Sequence, residues 1–354
     1  MSKSLGNAVD PMEIIEKNGA DSLRFALASL TTQGGQDIKL TDTKIEAGRN
    51  FANKIWNVSR YILTSLDKLQ FERSNTAYSF ADKWIISRLN RAIRTVTVCL
   101  EEYDFAKAAD TLYTFIWSEL CDWYIEMSKL NKEKADPVLI YCIENTLRLL
   151  HPIMPFITEE IWQKICQLPA LKDEKPIATI MLSKWPDFNP KDIHTEIETE
   201  MNIICEIKRS IRNIRAEMNI APSKKSKVIL VTNEKSKIKA LKSGNEYIVS
   251  LAKADEIQIL ESLKTKPKHT STAVAEGIKI YIPLEGLIDI NKEMERLKTE
   301  CSKIEQELSR IKNKLNNESF IKKAPEDIVT KEREKEEELS KKRHIILEQL
   351  DFLK

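Results

Sequence analysis

The chain has 354 residues, of which 42% are hydrophobic and 31% charged, with only 8 glycines and 12 prolines. This length exceeds that of one typical domain, and the composition favours a mainly α protein with long solvated helix faces. The net charge is only +2, so an argument for nucleic-acid binding depends on local basic patches. No apolar run approaches the length of about 18 residues that a membrane span needs, so no membrane segment is predicted.

Cysteine usage points to a reducing compartment. The six cysteines include no C-x-x-C pair, and the four histidines lie far apart in the sequence. We therefore expect reduced core thiols, a cytoplasmic protein and no metal site. No apolar run follows Met1, so no signal peptide is predicted.

The first helices have recognisable start signals. Residues 1–10 form a polar segment, and a helix is predicted from Pro11 with Asp10 as its N-cap. A second helix follows Asn18-Gly19, and Asp21 is the residue predicted to cap it.

Amphipathic periodicity continues over most of residues 43–221. This region is interpreted as an antiparallel helical bundle. A Pro-rich loop with one short extended piece is expected at residues 169–190. The predicted helices are about 43–69, 80–102, 105–130, 136–150 with a continuation to 167, and 190–218.

Composition changes at Pro222, where runs typical of strands begin. The segments KVILVT, EIQIL and IKIYIPL are predicted strands, and a helix is expected at about 234–252. Residues 222–286 are therefore predicted to form a small β-α-β-β unit.

The last residues, 287–354, have a heptad-like pattern. Apolar positions recur at spacings of three and four from Met294 to Leu315, and a second helix is expected from Pro325. Because only one side of each helix is apolar, we predict an antiparallel coiled-coil hairpin that projects from the body of the protein.

The N-terminal loop carries the clearest chemical signal. Met1, Ser2, Lys3 and Ser4 precede a glycine and a capped helix. A lysine ammonium between two hydroxyls on such a loop suits the binding of a triphosphate. Alone, the tetrapeptide is more typical of an unstructured terminus.

Seven longer segments carry further information about the family of this chain. They are MSKSLGNAVDPMEIIEKNGADSLRFALAS, GRNFANKIWNVSRYIL, CDWYIEMSK, LLHPIMPFITEEIWQ, IRNIRAEMNIAPSKK, LIDINKEMERLK and FIKKAPEDIV. These segments resemble the class I aminoacyl-tRNA synthetases of the Val/Ile/Leu/Met subgroup, and the valyl enzymes of bacterial type above all. The resemblance covers all 354 residues in order, and the chain is similar to the C-terminal portion of such an enzyme.

The resemblance implies roles for these parts. Lys3 would be the catalytic lysine of a K-M-S-K-S loop that binds ATP, with Mg²⁺ in the full enzyme, and it would stabilise charge on the phosphates. The family's first lysine is absent, because the sequence starts at Met1. Residues 1–42 would carry this loop and helices that contact the tRNA stem, and residues 43–221 would bind the anticodon. No H-I-G-H motif, Rossmann series or editing domain is found, so this chain alone is predicted to be inactive.

The resemblance also implies partners. These are tRNA-Val and the N-terminal catalytic part of the same enzyme, with the chain acting as a monomer. Residues 206–242 carry eleven basic and three acidic side chains, a pattern typical of either a solvated face or phosphate contacts. The candidate tRNA-binding residues, in this run and in the hairpin, are Arg209, Arg212, Arg215, Lys224, Lys225, Arg310, Lys314, Lys322 and Lys323.

Two other interpretations remain open from the sequence. A free-standing tRNA-binding module explains the basic patches but has no need of the loop around Lys3. A purely structural coiled-coil protein explains the last 65 residues and nothing before them.

Overall fold

The computed structural model describes residues 10–31, 40–66, 78–167, 178–263, 265, 267–316 and 326–353. The chain divides into two compact units, Met1–Met201 and Asn202–Lys354. The described residues are mainly helical and include one four-stranded sheet. The finer domain boundaries predicted at 42/43, 221/222 and 286/287 stay predictions.

The first unit is built from helices, several of which match predicted segments closely. They are α1 (Pro11–Asn18), α2 (Ala20–Leu30), α3 (Asp42–Leu66), α4 (Phe80–Glu101), α5 (Phe105–Tyr113), α6 (Ile125–Ser128), α7 (Lys132–Leu150), α8 (Pro155–Ile165) and the start of α9 (Thr195–Glu217). A π-helical segment, Thr114–Tyr124, joins α5 to α6, so residues 105–128 form one unbroken helical stretch.

Two aspartates near the N-terminus act as helix caps, but on different helices. Asp10 caps α1 as predicted, because its carboxylate accepts a hydrogen bond from the Met12 amide at 2.9 Å. Asp21 lies inside α2 instead of ahead of it. Its buried carboxylate accepts from the amides of Phe156 and Ile157, at 3.3 and 2.7 Å. The prediction that Asp21 caps its own helix is therefore wrong, since it caps α8.

An aromatic cluster lies at the centre of the first unit. The ring centroids of Phe25 and Phe51 are 4.7 Å apart, and those of Phe51 and Tyr113 are 5.0 Å apart. α3 approaches the backbone of α2 closely at Gly48, where a Cβ atom would lie 2.6 Å from the Ser22 carbonyl oxygen. Only glycine fits there, which explains a glycine inside a long helix.

The loop after α8 differs from its prediction. The expected extended piece at ATIMLSKW forms a 3₁₀ turn at Ile180–Leu182 instead, started by Thr179. Ile180 is buried while Met181 and Leu182 are exposed, so this segment contributes one side chain to the core.

The second unit contains a mixed sheet of β1 (Ser226–Val231), β2 (Ala254–Leu260), β3 (Thr270–Ala275) and β4 (Ile278–Pro283), in the order β2-β1-β4-β3. β1 and β2 are parallel, whereas β4 is antiparallel to β1 and β3. The β-α-β-β prediction missed β3, because its Thr- and Ala-rich sequence has no apolar alternation and it lies at the sheet edge.

Two short helices connect the parallel strands, where one was predicted. They are α10 (Lys235–Ser243) and α11 (Asn245–Ala252), and they separate at Gly244. A Cβ atom at Gly244 would lie 2.1 Å from the Ile204 side chain. The separation therefore occurs where the backbone passes close to α9.

Two long helices end the chain, α12 (Ile290–Leu315) and α13 (Glu326–Leu353), and they pack on each other. Ion pairs join Glu300 to Lys342 at 3.0 Å and Lys314 to Glu332 at 3.0 Å, so the helices run antiparallel. The predicted apolar seam of α12 is buried at Leu297, Cys301, Ile304, Leu308 and Ile311.

Candidate nucleic-acid interface

The loop that carries Met1, Ser2, Lys3 and Ser4 lies outside the described residues, as do Lys322 and Lys323. The remaining candidates fall on α9, on the turn that follows it and on α12. Their surroundings divide them into buried, ion-paired and unpaired cations.

The three candidate arginines of α9 do not share one exposed face. Arg209 and Arg212 are exposed, but only 7% of Arg215 is accessible to solvent. Arg209 forms an ion pair with Glu206 one turn earlier. Arg212 makes no ion pair or side-chain hydrogen bond with any residue that the structure describes.

The buried Arg215 side chain forms hydrogen bonds within the protein. Its guanidinium donates to Ser226 Oγ at 3.1 Å, to the Lys224 carbonyl at 2.6 Å and to the Ala221 carbonyl at 3.3 Å. Desolvation lowers the pKa of Arg215 from its usual value. The expectation that it faces a phosphate alongside Arg209 and Arg212 is therefore corrected, because its donors bind the turn between α9 and β1.

Lys224 and Lys225 are both exposed, but they differ in what they contact. The Lys224 ammonium donates to the carbonyl oxygens of Gly286 and Leu287, each at 2.9 Å. Lys225 makes no such contact within the described part of the chain. One of these adjacent lysines is therefore engaged with backbone, and the other faces solvent.

The hairpin also contains one paired and one unpaired candidate. Lys314 is joined to Glu332 across the two helices. Arg310 is exposed and, among the described residues, has no hydrogen-bond or ion-pair partner for its side chain. Residues 310–314 hold three basic side chains and no acidic one, so the described end of α12 is locally basic.

A surface of α3 and the π-helical segment combines lysines with aromatic rings. Lys54 Nζ lies 4.7 Å from the Trp117 ring centroid and 2.8 Å from Asp122 Oδ1. Lys129, immediately after α6, adds a second ammonium, with its Nζ 5.8 Å from the Tyr61 ring centroid and 2.5 Å from Glu126 Oε1. We name these residues the lysine–aromatic surface. The sequence does not reveal this surface, because the pairing of the lysines with the rings arises only in the folded unit.

A cavity of about 420 Å³ lies between α4 and the segment before α9. Its walls include Arg94, Lys107 and Phe188, and the Arg94 guanidinium carbon lies 5.5 Å from the Phe188 ring centroid. No described residue forms an ion pair with the side chain of Arg94 or Lys107. The cavity therefore places three basic side chains, Arg91, Arg94 and Lys107, and one acidic side chain, Glu102, beside an aromatic ring.

A buried carboxylate fixes the beginning of α9. Glu198 is 8% exposed and accepts hydrogen bonds from Ser87 Oγ at 2.5 Å and from Arg91 Nε at 2.7 Å. Burial raises the pKa of Glu198, but these hydrogen bonds and the charges of Arg88 and Arg91 outweigh it, so the pKa lies below the usual value.

The cysteines are free thiols, five of them buried. Burial raises the pKa of Cys121 to about 12 and also raises the pKa of Cys142, so neither thiol ionises at neutral pH. Within the described residues, no group of three or more His, Cys, Asp or Glu side chains has the geometry of a metal site. None of the described helices is both long and apolar enough to span a membrane.

Three family descriptions match the chain in order. "tRNA synthetases class I (I, L, M and V)" matches residues 1–41, "Anticodon-binding domain of tRNA ligase" matches residues 82–230, and "Valyl tRNA synthetase tRNA binding arm" matches residues 289–354.

Similar proteins include the valine–tRNA ligases of Listeria innocua, Clostridium tetani and Bacillus subtilis, which are 41%, 44% and 40% identical to this chain. Each match covers 100% of this chain but 40% of the relative, so the chain spans about two fifths of the length of these relatives. A solved LeuRS chain, from a ternary complex of Agrobacterium radiobacter K84, has a TM-score of 0.43 and 22% identity, with 66% of this chain and 24% of that chain covered.

Proposed function

Because the chain belongs to the valyl-tRNA synthetase family and corresponds to the C-terminal part of its members, we propose that it is the tRNA-holding portion of a valine–tRNA ligase. In this proposal the helical unit binds the anticodon arm of tRNA-Val. The hairpin of α12 and α13 acts as a coiled-coil arm that contacts the tRNA backbone.

The observation that carries the proposal is the order of the three matches along one chain. A class I synthetase segment, an anticodon-binding domain and a valyl tRNA-binding arm follow one another without rearrangement. The free-standing tRNA-binding module is not favoured, because residues 1–41 match a synthetase segment.

Two surfaces of the helical unit have the chemistry that single-stranded RNA requires. The lysine–aromatic surface offers the Tyr61 and Trp117 rings with lysine ammonium groups beside them. Lys54 and Lys129 would first have to leave Asp122 and Glu126 to bind a phosphate. The cavity at Phe188 adds Arg94 and Lys107. Aromatic rings stack on unpaired bases while cations bind the phosphates, so either surface fits an anticodon-loop nucleotide.

The second unit supplies cations for phosphate contacts. Arg212, Lys225 and Arg310 are exposed and form no ion pair within the described residues, although Arg310 lies near Glu307, so binding a phosphate would break no ion pair. Arg209 and Lys314 would first have to leave Glu206 and Glu332. We therefore rank the three unpaired cations above the two paired ones as tRNA contacts.

The segment around Lys3 would contribute to the ATP site of the whole enzyme, and we propose that Mg²⁺ accompanies the nucleotide there. In that role the Lys3 ammonium would stabilise negative charge on the phosphates as the adenylate forms. Valine and adenylate binding would require the remaining length of the enzyme, so we propose that this chain alone does not activate valine. We also propose a cytoplasmic monomer.

Binding and activity are tested separately. A filter-binding titration with tRNA-Val transcript should show affinity that falls linearly on a log–log plot against salt, whereas an unstructured RNA of equal length binds more weakly. The proposal fails if the two RNAs bind equally or if salt has no effect. Valine-dependent ATP–pyrophosphate exchange by the purified chain would contradict the proposed inactivity.

A further inference from the structure

Lys224 lies in the basic run that we propose for tRNA binding, yet its ammonium is used inside the protein. Both of its described hydrogen bonds go to carbonyl oxygens immediately before α12, those of Gly286 and Leu287 at 2.9 Å each. Its neighbour Lys225 is equally exposed and has no described partner.

The segment that Lys224 holds is the root of the hairpin. β4 leads to the buried Leu284, whose carbonyl accepts hydrogen bonds from the amides of Leu287 and Ile288, at 3.0 and 3.4 Å. Gly286 has a φ of +74°, which a glycine adopts without strain. Asp289 then caps α12 by accepting from the Lys292 amide at 3.1 Å. This turn sets the direction in which α12 leaves the sheet.

Two hydrogen bonds hold the backbone of Lys224 in place. The Lys224 carbonyl accepts from Arg215 Nη2 at 2.6 Å, and the Lys224 amide donates to the Ala221 carbonyl at 3.0 Å. Arg215 is buried and also binds Ser226 Oγ at the start of β1. A continuous series of contacts therefore runs from α9 through Arg215 and Lys224 to the hairpin root.

A small change in the direction of α12 at the root of the hairpin produces a large displacement at the far end of the helix. α12 has 26 residues and is therefore about 39 Å long. A tilt of about 10° at its first turn would move its far end by about 7 Å, more than one turn of a helix. α13 also contacts β3, so the hairpin remains attached without Lys224 but its direction is less restricted.

We propose that Lys224 is a positioning residue, which holds the hairpin in the direction that tRNA binding requires and does not itself contact phosphate. This inference rests on the proposed tRNA binding. Lys224 therefore positions the hairpin whereas Lys225 contacts phosphate, although the two side chains are adjacent and chemically identical.

The full chain is tested as Lys224→Met, with Lys225→Met as the matched control and Lys224→Arg as the conservative variant. Lys224→Met should weaken tRNA-Val binding about fivefold, because pre-organisation of the arm is lost, while the salt slope stays the same. Lys225→Met should lower the salt slope by about one unit, as expected for the loss of one phosphate contact. Lys224→Arg should restore most of the affinity.

A second measurement does not depend on RNA. Amide hydrogen exchange at residues 286–292 should accelerate in Lys224→Met and not in Lys225→Met, while the melting temperature of both variants stays near that of the wild type. Unchanged exchange in Lys224→Met, or a salt slope that falls by one unit, would overturn the positioning role. Accelerated exchange together with no tRNA binding by any variant, the wild type included, would instead refute the proposed function and leave the root contact intact.

Discussion

The beginning of α9 and the terminal hairpin use charged side chains in opposite ways. Glu198 is buried and shared between Ser87 and Arg91. In the hairpin, Glu300 and Lys342 form an ion pair on the surface. A buried carboxylate that loses its partners remains desolvated, whereas an exposed one returns to water at little cost. Charge substitutions should therefore affect stability strongly where the charge is buried, as at Glu198, and weakly in the hairpin.

The largest effect is expected from Arg215→Met. The methionine fills a similar volume but leaves the Lys224 carbonyl and the buried Ser226 hydroxyl without their donor. We expect a loss of about 3 kcal/mol in the free energy of unfolding, measured by urea denaturation followed by circular dichroism. Arg212→Met, one turn earlier and exposed, should change it by less than about 0.5 kcal/mol. Equal effects of the two variants would contradict the buried role of Arg215.

Glu198→Gln should lower the free energy of unfolding somewhat less than Arg215→Met does, because Arg91 keeps access to solvent. We expect a loss of about 2 kcal/mol at neutral pH. The cost should depend on pH. The pKa of Glu198 is lowered in the folded protein, so its contribution is complete above the unfolded-state value of about 4.3 and is lost as pH falls through the folded value.

Urea denaturation at several pH values checks this dependence. The difference in unfolding free energy between wild type and Glu198→Gln should narrow as pH falls below about 4. A difference that stays constant or widens in acid would mean that the carboxylate is not stabilised as an anion by Ser87 and Arg91.

The smallest effect is expected from Glu300→Gln in the hairpin. Hydrogen bonding to Lys342 lowers the pKa of Glu300 against the opposing effect of burial, but the pair lies on the surface. We expect a change within about 0.5 kcal/mol, which moderate salt removes. A change in unfolding free energy as large as that of Glu198→Gln would contradict the expected difference between the beginning of α9 and the hairpin.

Periodicity and capping chemistry predicted much of the helical architecture. Asp10, Pro11 and the apolar face of α3 give local signals that need no knowledge of the tertiary structure. Asp21 was misassigned because it caps a helix more than 130 positions away in sequence. β3 was missed because an edge strand with a polar sequence lacks the alternation that identifies strands.

The candidate site was harder to predict, since its basic residues have the same chemistry but different surroundings. Sequence spacing places Arg209, Arg212 and Arg215 on successive turns, but it does not show that the turn after α9 folds back over Arg215. Likewise, nothing local distinguishes Lys224 from Lys225, because the carbonyls that bind Lys224 come from residues 286 and 287. These distinctions arise only from tertiary contacts.

The most direct test of the account compares two sets of three cation-to-glutamine changes in salt-titrated tRNA-Val binding. The first set, Arg212, Lys225 and Arg310, is exposed and lacks described partners. The second set is paired with glutamates and contains the candidates Arg209 and Lys314 together with Lys237, a lysine of the same basic run that pairs with Glu234. We expect the first set to lower the salt slope by about two to three units and the second by less than about one. Equal losses, or a larger loss from the paired set, would contradict it.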